Sequence, residues 1–140
     1  MHYFDTSFIA PLFLAEDRSK YVETIIRTIE NDHMVSQWLR VEFASLIARN
    51  VRMKIFTELQ AVEMMNQFEP LIRSSFYIVV PTVADFNLAS SFIQKFDSGL
   101  RAGDALHLAI AHNQKIDKFY TLDQGLAAAA RKLTSFSVIT

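Results

Sequence analysis

Short apolar, β-rich runs alternate with longer segments of helical spacing along the whole chain, and this alternation restricts the fold more than any other feature. The short runs fall at 3–4, 34–35, 76–80, 118–122 and 136–139. Between them, "YVETIIRTIE" places Val22, Ile25, Ile26 and Ile29 on one helical face, and "LRVEFASLIARN" does the same with Leu39, Phe43, Leu46 and Ile47. "AVEMMNQFEPLI" reads as a helix ending near Pro70, and "ADFNLASSFIQKF" follows Thr82, with Asp85 completing a capping box. "GDALHLAIAHN" is apolar nearly all round, the mark of a helix buried on most sides, and the last helix is "QGLAAAARKL". Strands and helices alternating in this way predict an α/β fold: a central parallel sheet of about five short strands, with helices on both faces.

Ligands of open α/β sheets bind beyond the carboxyl ends of the strands, so the residues just after each strand are the ones to inspect. Asp5 directly follows the first run, and Asp123 follows "KFYTL". Glu42 projects between Leu39 and Leu46, on the margin of an apolar stripe, where a carboxylate is costly unless compensated. Asp104 opens the nearly all-apolar helix and so should face inward or into a cleft, although the helix dipole also favours an acid there. Each of the four has a purely structural reading as well. Asp5 and Asp123 suit helix caps or Asx turns, Asp104 suits a first-turn acid, and Glu42 suits an ion pair with Arg49 or Arg40. Together they weigh differently. Four carboxylates converging on one cleft would repel, and a hard divalent ion with oxygen ligands, Mg2+ or Mn2+, is the natural counter-charge. Spacing alone does not establish that convergence.

Composition narrows the classes. At 140 residues and 51% hydrophobic, the chain is long and apolar enough for one domain, 1–140, with a real core. The net charge of −1 provides no global basic field, so a polyanion must be met by a local patch. With no Cys, a thiolate nucleophile, a disulfide scaffold and a Cys-ligated zinc site are excluded, which fits a reducing cytoplasm. The longest apolar stretch, 8–15, is far short of a membrane span and follows Asp5 rather than a basic region. The expectation is a cytoplasmic protein with no membrane association.

Four segments, in order along essentially the whole chain, resemble the PIN-domain nucleases, and most closely the VapC toxins of type II toxin–antitoxin pairs. "YFDTS" resembles the opening motif, with Asp5 as first acid and Ser7 supporting it. "VEFAS" resembles the helical motif of the second acid, Glu42. "LRAGDALHLAIA" is similar to the segment of the third acid, Asp104, and "FYTLDQGLAAAA" to the closing motif, with Asp123 as fourth acid and Thr121 beside it. The chain departs from the family in its very short first strand and in "LTSFSV", which replaces the usual glycine before the last strand. The resemblance implies a three-layer αβα PIN-like fold and a Mg2+- or Mn2+-dependent endoribonuclease. Asp5, Glu42, Asp104 and Asp123 would bind the metal, and Ser7 and Thr121 would orient carboxylates. It also implies an RNA substrate and a cognate antitoxin that blocks the acidic cleft. Two alternatives remain open at this point: a catalytically silent PIN-fold binding module, and a PIN nuclease acting in RNA processing or on DNA.

Other residues carry weaker signals. Arg40, Arg49, Arg52 and Lys54 cluster around Glu42, and Arg101 precedes Asp104; they suit solvated helix ends or positions for RNA phosphates. His107, one turn after Asp104, is expected to be buried or hydrogen-bonded rather than a ligand, since His112 is five residues on and no Cys is present. The stripe Phe56, Leu59, Val62, Met65 and Phe68 reads first as core and second as a homodimer or partner-helix contact. "RAGD" invites comparison with haloacid dehalogenase-type phosphatases, but Leu108 and Ser7 stand where further aspartates would be needed.

Overall fold

The first strand, β1 (His2–Phe4), lies in the middle of a five-stranded sheet and hydrogen-bonds in parallel to a neighbour on either side. The computed structural model describes residues 1–30 and 32–140. After β1 come α1 (Thr6–Ile9), a 3-10 turn at Ala10–Leu12, α2 (Ser19–Thr28), β2 (His33–Ser36) and α3 (Trp38–Arg52). Next are α4 (Glu58–Ser75), β3 (Tyr77–Val79) and α5 (Val83–Ile93). The chain closes with α6 (Ala102–Asn113), β4 (Lys118–Tyr120), α7 (Gln124–Leu133) and β5 (Ser137–Ile139). The strand order is β3-β2-β1-β4-β5, parallel at every pairing.

Side chains alternate across a strand, and here that alternation sorts the core into two layers. Tyr3, Met34 and Phe119 pack on one face, against Ala105, Leu108 and Ala109 of α6, Phe92 of α5, and Leu126 and Ala130 of α7. Their sequence neighbours Phe4, Val35 and Tyr120 pack on the other, against Phe8 and Ile9 of α1, Val22 of α2, Leu39 and Phe43 of α3, and Phe68 and Ile72 of α4. Tyr3 pairs in register with Phe119 and Phe4 with Tyr120, and both aromatic pairs stack, at 5.6 and 4.6 Å between centroids. The result is the three-layer α/β sandwich expected, with every strand running toward the same edge.

Several element bounds differ from the sequence reading for identifiable reasons. The helix expected to end near Pro70 instead runs through it to Ser75. Pro70 removes the donor that would serve the Asn66 carbonyl, but both residues are exposed, so that carbonyl is open to solvent. The Thr57–Gln60 capping box starts α4 earlier than expected, at Glu58. The stripe expected on α4 divides. Phe68 is core, whereas Leu59 is 69% and Val62 55% exposed, so only the C-terminal half of α4 supplies buried core residues. With Met53 and Ile55 they form an exposed apolar run at the α3–α4 junction. The Thr82–Asp85 capping box forms as expected, and Asn113 of α6 donates to the second Asp85 oxygen at 2.7 Å.

Phe43 and Phe68 stack at 4.0 Å with planes 6° apart, and both are fully buried, so this contact fixes α3 against α4. Phe68→Ala should therefore lower unfolding stability by about 3–5 kcal/mol, read from urea denaturation as a lower midpoint with an unchanged slope.

Candidate active site

Because the strands are parallel, the residues that follow β1 and β4 emerge side by side at one edge of the sheet. Asp5 stands immediately after β1 and caps α1, its Oδ1 accepting from the Phe8 backbone N–H at 2.9 Å. Asp123 stands three residues past β4 and caps α7 in the same way, accepting from the Leu126 N–H at 2.9 Å. Glu42 reaches the same place from the second turn of α3, and Asp104 from the first turn of α6. All four line one cleft of about 640 Å³, with Thr6, Ser7, Ala10, Ser45, Leu46, Arg49, Arg101, Gly103 and His107. The capping roles read from the sequence for Asp5 and Asp123 are real, and they coexist with a place in the cleft.

Each carboxylate is held differently. Asp5 is buried, and besides its cap bond it accepts from Thr121 Oγ1 at 2.6 Å and Ser7 Oγ at 2.8 Å. Ser7 also accepts from the Leu122 N–H at 2.8 Å, which ties α1 to the end of β4. Burial nevertheless outweighs these bonds and raises the Asp5 carboxyl to about 6. Burial also raises Asp104, and the neighbouring Asp123 charge raises it further. Glu42 behaves oppositely. Burial pushes it up, but hydrogen bonds from His107 and Thr6 hold it below the usual carboxylate range. The ion pair of Glu42 with Arg40 or Arg49 does not form. Arg40 instead grips Glu69 of α4 through Nε and Nη2, at 3.0 and 2.6 Å, while Arg49 shares the cleft with Glu42 without pairing to it.

The basic residues divide as well. Arg49 and Arg101 line the cleft, whereas Arg40, Arg52 and Lys54 are not part of its lining. Arg101, 83% exposed, stands 3.7 Å from Asp104 Oδ2 and 3.9 Å from Asp123 Oδ2. Among the described residues, no three acidic or histidine side chains close directly on one point as a preformed cage. The lining carboxylates and hydroxyls are hard oxygen donors. Mg2+ keeps several of its waters and uses one or two carboxylates, so an open acidic cleft suits its chemistry.

Sequence reasoning missed Thr6 and Gly103. A Cβ at position 103 would lie 2.5 Å from Glu42 Oε1 and 3.3 Å from Trp38 Nε1, so glycine is what lets α6 approach α3 closely here. The "GD" pair opening an otherwise apolar helix was the available signal, but its meaning depends on a neighbour sixty residues away in the chain, and a single sequence does not reveal that neighbour.

A three-layer parallel α/β sandwich with four carboxylates at the carboxyl edge of its central strands defines a known class of domain. Residues 2–132 match the PIN domain family, and the chain belongs to that family. No curated protein sequence matches significantly. Among solved structures, the fold is similar to VapC20 of Mycobacterium tuberculosis, described as a sarcin–ricin loop cleaving toxin. The two share 19% identity and a TM-score of 0.74, over 92% of this chain and 95% of that one. FitAcB from Neisseria gonorrhoeae is similar at 19% identity and a TM-score of 0.74, over 100% and 97% of the two chains. A toxin–antitoxin complex from Klebsiella pneumoniae is similar at 16% identity and a TM-score of 0.62, over 100% and 97%.

The raised carboxyls have a measurable consequence. Unfolded Asp5 loses its proton near 3.8 and folded Asp5 near 6, so between those values the folded state binds more protons. Stability without metal therefore falls as pH rises through that window, and the penalty persists above it. Asp5→Asn removes the penalty. In EDTA at neutral pH the variant should be about 1–3 kcal/mol more stable than wild type, with a flatter pH dependence in urea titrations between about pH 4 and 6.

Proposed function

We propose that this chain, acting as one domain over 1–140, is a metal-dependent endoribonuclease and the toxin of a toxin–antitoxin pair. The observation that carries this reading is the meeting of Asp5, Glu42, Asp104 and Asp123 in one cleft at the carboxyl edge of a PIN-family sheet. Raised Asp5 and Asp104 carboxyls mark a place where negative charge is uncompensated by the protein, which is what a divalent cation corrects. Mg2+ or Mn2+ would be held by these four acids, directly or through water. Such an ion supplies Lewis acidity when bound, making water a stronger nucleophile at neutral pH and offsetting charge on phosphoryl oxygens.

The chain's own residues do the positioning. Ser7 and Thr121 fix the Asp5 carboxylate while its cap bond fixes the backbone. Arg49 and Arg101 stand at the cleft where they can bind phosphates flanking the scissile bond. On substrate contact Arg101 would exchange its long approach to Asp104 and Asp123 for a phosphate, a better partner for a guanidinium. The lining offers no Cys; Ser7 donates to Asp5, and Thr6, although 3.2 Å from His107 Nε2, gives its hydroxyl hydrogen to Glu42 rather than to the imidazole. That supports attack by water.

RNA as substrate is supported by the likeness to VapC20, described as cleaving the sarcin–ricin loop. An antitoxin partner is supported by the likeness to a toxin–antitoxin complex and by the exposed apolar run at Met53, Ile55, Leu59 and Val62. The reading places the protein in the cytoplasm with its RNA. Among the described residues, no helix is long and apolar enough to cross a membrane.

Incubating purified total RNA with the antitoxin-free chain should yield discrete fragments in Mg2+ or Mn2+, none in EDTA, and none with Asp104→Asn. Intact RNA throughout, from a folded protein, would instead favour a silent binding module or a DNA substrate. A second variant tests the geometry. Gly103→Ala places a methyl against Glu42 Oε1 and should reduce cleavage at least tenfold, while circular dichroism and thermal unfolding show a fold kept to within about 1 kcal/mol, since alanine favours the helix.

A further inference from the structure

His107 is buried, with a side chain only 2% exposed, yet both of its ring nitrogens are engaged. Nε2 lies 2.6 Å from Glu42 Oε2 and 3.2 Å from Thr6 Oγ1, and Nδ1 lies 2.7 Å from the fully buried Tyr3 hydroxyl. For a neutral imidazole, proton bookkeeping gives this chain one direction. An ionised carboxylate only accepts, so the hydrogen facing Glu42 must sit on Nε2. In the neutral ring Nδ1 is then an acceptor, and the Tyr3 phenol, which keeps its proton at neutral pH, donates to it. Thr6 donates its own hydroxyl hydrogen to Glu42 Oε2, leaving its lone pairs toward Nε2. Every hydrogen is thereby used once.

The consequence lies at Glu42. Two donors converge on Oε2, while Oε1 lies beside Gly103 with the Trp38 indole N–H as a further donor near this carboxylate, and it keeps a lone pair for a ligand. A Glu side chain has three rotatable bonds and would not hold that pose alone. We infer that His107, braced by Tyr3, is the positioning residue for Glu42: it presents Oε1 to the cleft as a preoriented donor for a hard divalent cation. The inference rests on the metal-dependent reading above and deepens it. It also explains how one helix serves the site twice, since α6 carries Asp104 into the cleft and, one turn later, the histidine that orients an acid on α3.

The test is Mn2+ binding by titration calorimetry on the full chain, with thermal unfolding and circular dichroism as checks of the fold. His107→Leu should weaken Mn2+ binding by about ten- to a hundred-fold, the loss typical of removing a partner that orients a ligand. His107→Gln, whose amide N–H reaches the Nε2 position, should recover binding to within about threefold of wild type, a rescue that a purely packing role would not produce. Tyr3→Phe removes one oxygen and should weaken binding in the same direction by a smaller factor, which keeps the inference testable if His107→Leu does not fold. Nitrogen-15 NMR of the metal-free wild-type histidine should show the Nε2–H tautomer. A folded His107→Leu or Tyr3→Phe that binds Mn2+ like wild type, or an Nδ1–H tautomer, would overturn the inference while leaving the nuclease reading standing. A wild-type chain that binds no Mn2+ would overturn the metal reading itself, and this inference with it.

Discussion

The pairing of β1 with a parallel strand on each side governs the rest of this structure. A central strand is covered on both faces, so Tyr3 and Phe4 must both be buried, one in each layer of the core. A strand of three residues leaves no room for anything else, and the next residue, Asp5, emerges at the edge with its side chain still largely out of water. The neighbouring strand β4 delivers Thr121 and then Asp123 to the same edge. The core and the acidic cleft are thus two ends of one arrangement. The same β1–β4 pairing that stacks the aromatic pairs brings the residues following both strands to one edge.

That proximity is costly, and the surroundings show how the cost is met. Asp5 takes three donors, the Phe8 backbone N–H, Thr121 Oγ1 and Ser7 Oγ, the last shared between its two oxygens, yet its carboxyl remains raised. Glu42, by contrast, is fully reconciled to its charge by two converging donors. One cleft therefore holds an acid the protein has stabilised and others it has left needing a counter-charge. If these acids hold a cation as proposed, the site is less stable without it, because carboxylates that would bind the ion repel each other in its absence.

Capping and a place in the cleft turn out to fall on the same residues. Asp5 and Asp123 each use Oδ1 to hold a helix N-terminus, while Oδ2 is engaged elsewhere, with Thr121 in one case and the approach of Arg101 in the other. Fixing one oxygen to backbone pins the other, which is how a short aspartate gains orientation without a dedicated partner. Glu42, longer and on a helix surface, lacks that device and depends on Thr6 and His107 instead. The sequence pattern could not separate cap from cleft acid for the two aspartates, since both descriptions apply to the same atoms.

What the sequence by itself determined was the order and kind of the main elements and which acids follow strands or sit at the margins of apolar helices. Alternating β-rich runs and helical stripes dictate a parallel sheet, because the period of apolar residues is local, and the residues after strands are then necessarily at one edge. Local signals also located the Thr82–Asp85 capping box, though not the Thr57–Gln60 one. Tertiary structure alone decided what lay between distant segments: that Arg40 bonds Glu69 rather than Glu42, that Leu59 and Val62 face solvent although they share a stripe with core Phe68, and that Pro70 sits where water can replace its missing donor. It alone brought Gly103 against Glu42 and threaded His107 between Tyr3 and Glu42. The reason is physical. Periodicity and capping are interactions over three or four residues, whereas the orientation of a carboxylate depends on donors from β1, α1 and α6 that only the packed layers bring within hydrogen-bonding distance.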